Sequence, residues 1–256
     1  MNSNETSLAK AGVSERYERQ VRFERIGLEG QNRLREARVA VMGCGALGSG
    51  VAHNLVRAGV GFIRIVDRDL LEWSNLHRQL LYTEEDVSQR LPKATAAASH
   101  LKEINSEVQV ESIVAEISRE NVEDFVVGVD IVADGLDNIP TRFMVNEACV
   151  GVGIPWVYGA AVAAEGASMS IIPEKGPCLR CLMESLPPDG VVKTCDDVGV
   201  INPLTSLVSA IESCEVMKIL LGAPPNTDLL RLNVWDLTFR RSRVKRRSDC
   251  PVCGRL

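Results

Sequence analysis

No stretch of the chain is long and apolar enough to cross a membrane. The longest weakly polar run, 151–164, is broken by Pro155 and glycines, and falls short of the roughly 20 residues a spanning helix needs. The first twelve residues hold no apolar h-region, which predicts a cytoplasmic protein without a secretory signal. An excess of positive charge is also missing. The formal net charge is −5, so no global attraction to nucleic acid is implied. The local exception is a basic run, Arg240, Arg241, Arg243, Lys245, Arg246 and Arg247. It reads as a solvated face or as a dock for an acidic partner. No G-x-x-x-x-G-K-[ST] occurs, which excludes a P-loop triphosphatase. Internal repeats and linkers rich in Gly, Ser or Pro are absent too. With 256 residues, 45% of them hydrophobic, the chain can bury a sizeable core. The expectation is a disordered 1–13 and one domain over 14–256, its nucleotide-binding half at about 14–160 and the rest at about 161–256.

What is present is organised around Arg38–Gly48. An apolar run reads as a buried strand and enters Gly43-Cys44-Gly45-Ala46-Leu47-Gly48, then a helical pattern through Arg57. Glycines at that spacing allow a tight turn and close approach of backbone to phosphate, and the helix N-terminus offers free N–H groups. Asp67 closes the next strand, Phe62–Val66, about 20 residues on, as a ribose-binding carboxylate would. The pattern predicts an adenine nucleotide site.

The remaining pattern alternates strands and helices. Helices are predicted from Ser14 as N-cap, over Glu29–Glu36, from Pro92 through Ile104, after Ser118 to about Gly128, over Thr141–Val152 and over Leu204–Leu221 as an amphipathic helix ending at Gly222. Strands are predicted at Val108–Ile117, Asp130–Asp134, Pro155–Ala160, Ser168–Ile172 and as a hairpin within Leu229–Arg247. The segments 69–90 and 176–200 read as long loops. The fold class is α/β, a Rossmann-like doubly wound, mostly parallel sheet extended by antiparallel strands.

Eight cysteines in a protein of this class favour metal or catalysis over disulfides. Cys178-x-x-Cys181 and Cys250-x-x-Cys253-Gly are two pairs at zinc-knuckle spacing and predict a closed, structural Zn²⁺ site. A redox pair is the alternative, disfavoured because neither pair is expected to open a helix. Cys149 and Cys214 read as core, and Cys44 as a small residue of the glycine loop. Cys195 stands in a polar segment with Lys193, Asp196 and Asp197.

A glycine fingerprint alone would favour a nicotinamide-dependent oxidoreductase. Arg78, Lys93 and Asp137 change that reading, because cations for phosphates and a carboxylate for Mg²⁺ suit a triphosphate being split. With these residues goes a series of motifs in order: Arg16-Tyr17-Glu18-Arg19-Gln20, Asp67-x-Asp69, Ser74-Asn75-Leu76-His77-Arg78-Gln79, Pro92-Lys93, Leu136-Asp137-Asn138 with Arg142, and Thr194-Cys195. Together with the glycine loop and the cysteine pairs, these resemble the MoeB/ThiF/HesA family, from about residue 14 to the end.

The resemblance implies an ATP- and Mg²⁺-dependent adenylyltransferase. Its substrate would be the C-terminal Gly-Gly carboxylate of a small ubiquitin-like sulfur-carrier protein of the ThiS or MoaD type. Thiamine, molybdopterin, tRNA thiolation and cysteine synthesis all use that chemistry. Asp67 would hold the ribose, Arg78 and Lys93 the phosphates, and Asp69, Asn75, Gln79 and Asn138 would line the same nucleotide pocket. Asp137 would position Mg²⁺. Arg19 would arrive from the other subunit of a homodimer, and Cys195 falls where several relatives have a cysteine that takes the acyl group or a sulfur atom. The plainer readings are surface cations for Arg78 and Lys93, an exposed helix residue for Arg19, a helix N-cap for Asp137, and structural roles for His53 and His77. Ala46 departs from a usual family glycine, a small change. No rhodanese-like domain follows the second cysteine pair, so sulfur is expected from a separate donor protein. A non-catalytic relative that binds a ubiquitin-like or tRNA-modification partner is the other alternative.

Overall fold

The computed structural model describes residues 15–186, 188 and 194–254. The expected N-cap Ser14, the 1–13 segment and Lys193 lie outside them. After a 3₁₀ turn, Glu15–Tyr17, the helices are α1 (Glu18–Val21), α2 (Gly27–Glu36), α3 (Ala46–Ala58), α4 (Glu84–Ser88), α5 (Lys93–Ile104), α6 (Val122–Val126), α7 (Ile139–Val152), α8 (Leu179–Leu182), α9 (Cys195–Val198) and α10 (Asn202–Leu220). The strands are β1 (Arg38–Met42), β2 (Phe62–Val66), β3 (Gln109–Ile113), β4 (Ile131–Asp134), β5 (Trp156–Val162), β6 (Glu165–Ile171), β7 (Leu229–Asn233) and β8 (Thr238–Ser242).

They form one eight-stranded sheet in the order β3-β2-β1-β4-β5-β6-β7-β8. The first five strands run parallel and the last three join antiparallel, as expected for the doubly wound class. Alternation along β1 divides the core. Val39 and Val41 pack with α3 and α5 on one face, while Ala40 and Met42 pack with α6 and α7 on the other. A strand buried on both faces must be apolar throughout, which is why the central run carries no polar alternation. The order reverses at β1, between β2 and β4, so the ends of these strands frame a crevice.

Several expectations need correction. The 69–90 segment is not all loop, because Thr83 and Asp86 form a capping box on α4. The 176–200 loop contains α8 and α9. Cys178 is the N-cap of α8, so the first cysteine pair does open a helical turn. Pro92 caps α5 rather than beginning it. α6 starts later than expected, at Val122 after Asn121, and Ser118 instead donates its N–H to the Asn121 side chain. α10 is not amphipathic in the expected sense. Its buried face carries Thr205, Ser209, Glu212 and Ser213 among Leu204, Val208 and Val216, while Leu207 and Ile211 are half-buried. Cys149 is buried, but Cys214 is exposed. It lies off the stripe that packs on β5, β6 and α3, so apolar neighbours in sequence do not enclose it.

Candidate active site

The glycine loop leaves β1 with Gly43 in the left-handed region, φ 84°. Three glycines are needed for clearance as well as for turning. A Cβ on Gly48 would lie 1.9 Å from the Gly43 carbonyl oxygen, and one on Gly135 would lie 2.2 Å from it. The loop thus packs backbone to backbone against the end of β4. A Cβ on Gly45 would meet no protein atom closer than Gln79 Nε2 at 3.7 Å, so Gly45 borders the open space above the loop. Ala46 is the half-buried first residue of α3, where a methyl group fits.

Asp67 ties this loop to β2. One carboxylate oxygen accepts from the Cys44 N–H at 2.6 Å and the other from the Asp69 N–H at 2.7 Å. Burial pushes its carboxyl up, against the pull of those two N–H groups and of Lys93. Lys93 is 7% exposed and its ammonium lies 2.8 Å from Asp69. It is therefore no surface cation. A buried ammonium persists because a carboxylate pairs it, and Asp69 also holds it in place. Tyr82 completes the support. Its buried hydroxyl donates to the Cys44 carbonyl at 2.6 Å.

Arg78, Asn75 and Gln79 follow a 3₁₀ turn, Trp73–Asn75. Buried Asn75 accepts from the Glu72 N–H and so closes the turn. Arg78 is half-buried and bonds the Ser74 carbonyl at 2.7 Å and His77 at 2.9 Å. Gln79 is buried beside Gly45, and its carbonyl oxygen has no hydrogen-bond partner among the described residues. His53 accepts from Arg57 on α3.

At the end of β4, buried Asp134 and Arg142 form a 2.8 Å ion pair. Asp134 accepts from the Leu136 N–H, and Arg142 donates to the Leu136 and Gly159 carbonyls. Burial works against the charge on Arg142, and Asp134 outweighs it. This clamp holds the turn that presents Asp137, which is exposed. The N-cap of α7 is Asn138, not Asp137. Asn138 accepts from the Thr141 N–H at 2.9 Å and donates to Asp137 at 3.1 Å. Asp137 is left with its carboxylate toward solvent.

Cys195 opens α9, half-buried, with its Sγ 3.1 Å from the Ala161 carbonyl. Burial pushes the thiol up. Arg78 and Arg142 oppose this, while Asp196 and Asp137 reinforce it.

Arg19 is placed elsewhere. Tyr17 packs on Gly59 and Gln20 donates to the Ala58 carbonyl, so this motif docks at the C-terminal end of α3. Arg19 is exposed there, roughly 18 Å along the helix from the glycine loop. One chain does not bring it to the site.

The four cysteines of the two pairs do converge, with ligand atoms within 4.8 Å of one another. Cys178 and Cys250 sulfurs are 3.6 Å apart, and Cys181 and Cys253 sulfurs 3.4 Å. Tetrahedral Zn²⁺ bonded to four thiolates at about 2.3 Å places sulfurs about 3.8 Å apart, so the set fits the metal. Burial raises the Cys250 thiol, but the Cys253 and Val252 N–H groups outweigh it and bring it down to about 7. Part of the basic run serves this knuckle. Arg246 donates to the Cys253 and Glu174 carbonyls, and the Arg247 N–H points at Cys181 sulfur. Arg240, Arg241, Arg243 and Lys245 are exposed. A surface cleft of about 420 Å³ lined by Glu147, Gly151, Arg180, Pro251 and Val252 lies at the other end of α7 from Asp137.

The sequence reading missed Tyr82 and the work of Asp134 and Arg142. An acidic residue at the end of an apolar strand and an arginine one helical turn into the following helix were the available signal for the second pair. Nothing local marks Tyr82.

A doubly wound sheet with a glycine loop at its switch point, cations beside that loop and a closed cysteine cluster defines a nucleotide-binding protein with a stapled tail. The chain belongs to the ThiF family, whose model matches residues 17–252. It is 43% identical to the sulfur carrier protein ThiS adenylyltransferase of Bacillus subtilis, over 93% of this chain and 71% of that one. It is 41% identical to the sulfur carrier protein adenylyltransferase of Thermus thermophilus, over 94% of this chain and 90% of that one. It is 40% identical to the SAMP-activating enzyme E1 of Haloferax volcanii, over 94% and 88%. The crystal structure of E. coli MccB with ATP superposes with a TM-score of 0.82 at 24% identity, covering 94% of this chain and 75% of that one, a likeness of fold. Family membership displaces the oxidoreductase alternative. Among the described residues no helix is long and apolar enough to cross a membrane.

Proposed function

We propose that this enzyme adenylates the C-terminal carboxylate of a small ubiquitin-like sulfur-carrier protein, using Mg-ATP and releasing pyrophosphate. The observation that carries the reading is the glycine loop packed against the end of β4, with Asp67 bonded to it, Gln79 (next to Arg78) against Gly45, buried Lys93 paired to Asp69, and Asp137 on the turn that follows β4. The glycine loop and α3 N-terminus receive phosphate, and Asp67 takes the ribose with its remaining lone pairs. Lys93 and Arg78 neutralise charge that builds as the carrier carboxylate attacks the α-phosphorus and the bond to pyrophosphate breaks. The carboxylate is already ionised, so no general base is required, and catalysis is positioning plus charge stabilisation. Asp137 would hold Mg²⁺, which supplies further neutralisation of the phosphates. Cys178, Cys181, Cys250 and Cys253 would hold structural Zn²⁺ and join the tail to α8. The working unit is a homodimer in which Arg19 reaches the partner's triphosphate, and Cys195 either forms a thioester with the activated acyl group as AMP leaves, or takes the outer sulfur of a persulfide on a separate donor as that donor's thiol is released.

Carrier-dependent ATP–pyrophosphate exchange tests this. Asp137→Ala should lower exchange by at least about a hundredfold, and absence of exchange with every Gly-Gly carrier tried would sink the assignment. Cys195→Ala should keep exchange and lose carrier thiocarboxylate formation. Unchanged thiocarboxylate turnover would remove its covalent role.

A further inference from the structure

Glu212 lies at the middle of α10, fully buried, and neither carboxyl oxygen has a hydrogen-bond partner among the described residues. It rests on Gly159 of β5. A Cβ at Gly159 would fall 1.9 Å from Glu212 Oε1 and 2.3 Å from its carboxyl carbon. Glycine there makes room for the acid. Across the sheet Gly159 pairs with Ser168, whose buried hydroxyl also has no partner among the described residues. Paired residues on antiparallel strands present the same face, with Cβ atoms about 5 Å apart, so Ser168 faces the acid.

The Gly159 peptide is also part of the clamp on the active-site turn. Its carbonyl accepts from Arg142 at 2.7 Å, and its N–H approaches Asp134 at 3.4 Å. The same two residues hold Leu136 and so present Asp137. Asp134 already balances Arg142. A second ionised carboxylate in this dry cluster would be uncompensated, and a buried group in that position keeps its proton instead.

We propose that Glu212, in its uncharged form, is a positioning residue of the active site: its carboxyl buttresses Gly159 and thereby the Asp134–Arg142 clamp that sets Asp137. Burial first, and Asp134 second, push the Glu212 carboxyl well above its ordinary 4.5, with Arg142 opposing. The charged and titratable groups that act on it electrostatically are Asp134 from β4, Arg142 from α7 and Tyr158 from β5, with Tyr158 on the opposite face of the sheet. β6 contributes the uncharged Ser168, His53 and Arg57 of α3 bond each other, and α2 meets α10 at Leu221, where Arg33 donates to the carbonyl.

The functional arm rests on the adenylation reading; the others do not. Glu212→Gln keeps shape and neutrality, so it should bind Mg-ATP as the wild type does by calorimetry. Glu212→Ala removes the buttress and should weaken Mg-ATP roughly tenfold, with exchange showing a raised KM for ATP. Gly159→Ala, which places a methyl on the carboxyl, should weaken it likewise and serves if Glu212→Ala does not fold. Because the folded state takes up a proton that the unfolded chain releases, wild-type stability falls as pH rises above 4.5, and Glu212→Gln escapes that loss. The melting temperature of E212Q minus that of wild type should therefore grow as pH rises above 4.5. Infrared difference spectra should show a protonated carboxyl band in wild type that E212Q lacks. A flat melting difference, an absent band, wild-type affinity in both buttress variants, or E212Q as weak as E212A would each overturn the proposal. If the wild type binds Mg-ATP yet catalyses no exchange, the adenylation reading fails while affinity, melting and infrared data still judge Glu212.

Discussion

Tyr82 shows how a residue outside the fingerprint can govern it. Its hydroxyl is a buried donor to the Cys44 carbonyl, inside the glycine loop. Removing one member of a buried pair leaves the other unsatisfied at a cost of about 1–3 kcal/mol. Tyr82→Phe should lower stability by that amount in urea unfolding and weaken Mg-ATP, with the slope of the transition unchanged. Lys93 makes the opposite point. Its charge and motif suggested a phosphate cation, and the 2.8 Å contact with Asp69 explains how it is aimed. Asp137 differs again. It is exposed, and its placement depends on Asp134 and Arg142 behind it and on Asn138 beside it.

At the scale of elements, the connection between β2 and α5 is where sequence periodicity failed. α4 is five residues long, too short for a periodic signal to register. It is held by its cap. The Thr83 hydroxyl and Asp86 carboxylate satisfy each other's N–H groups, and Asp86 also pairs with His100 at 2.8 Å. Thr83→Ala should cost about 1 kcal/mol, read as a lower melting temperature. Burial raises the Asp86 carboxyl, but the Thr83 and His100 bonds outweigh it and leave it below its ordinary 3.8. A lowered carboxyl contributes stability that is present above 3.8 and is lost as pH falls through the folded-state value. Wild type should therefore lose stability on acidification relative to Asp86→Asn, and parallel acid melting curves for the two would remove this role. α10 belongs here too. Its helical period was legible, but its buried stripe is partly polar because it must meet Gly50, Gly159 and the clamp rather than an apolar sheet alone.

At the scale of the whole molecule, Arg19 and Asp137 sit far apart within one chain. A homodimer would join them only across subunits, which gives a direct expectation. Arg19→Ala and Asp137→Ala proteins should each be inactive in exchange. Mixed and allowed to re-equilibrate, half the dimers would be hybrid, each with one intact site, and activity should recover to about a quarter of wild type. No recovery in verified hybrids would place Arg19 outside the reaction. The cysteine cluster acts at this scale as well. It joins segments from opposite ends of the second half, and Arg246 and Arg247 are drawn into it. That accounts for part of a basic run which, read alone, suggested only a surface.

The sequence by itself determined the sheet class, the glycine loop, the cysteine pairs and the identity of the charged residues, because each depends on local periodicity or spacing. Glycine clearance and thiolate pairing are short-range constraints and leave short-range marks. Only the tertiary structure decided which partner each charge has. Asp69 holds Lys93, Asp134 and Arg142 aim Asp137, Asn138 caps α7 in place of Asp137, Cys214 lies exposed, and Glu212 sits dry behind Gly159. These outcomes depend on burial and on contacts between segments distant in sequence, and charge alone does not say whether a residue faces solvent, substrate or another charge.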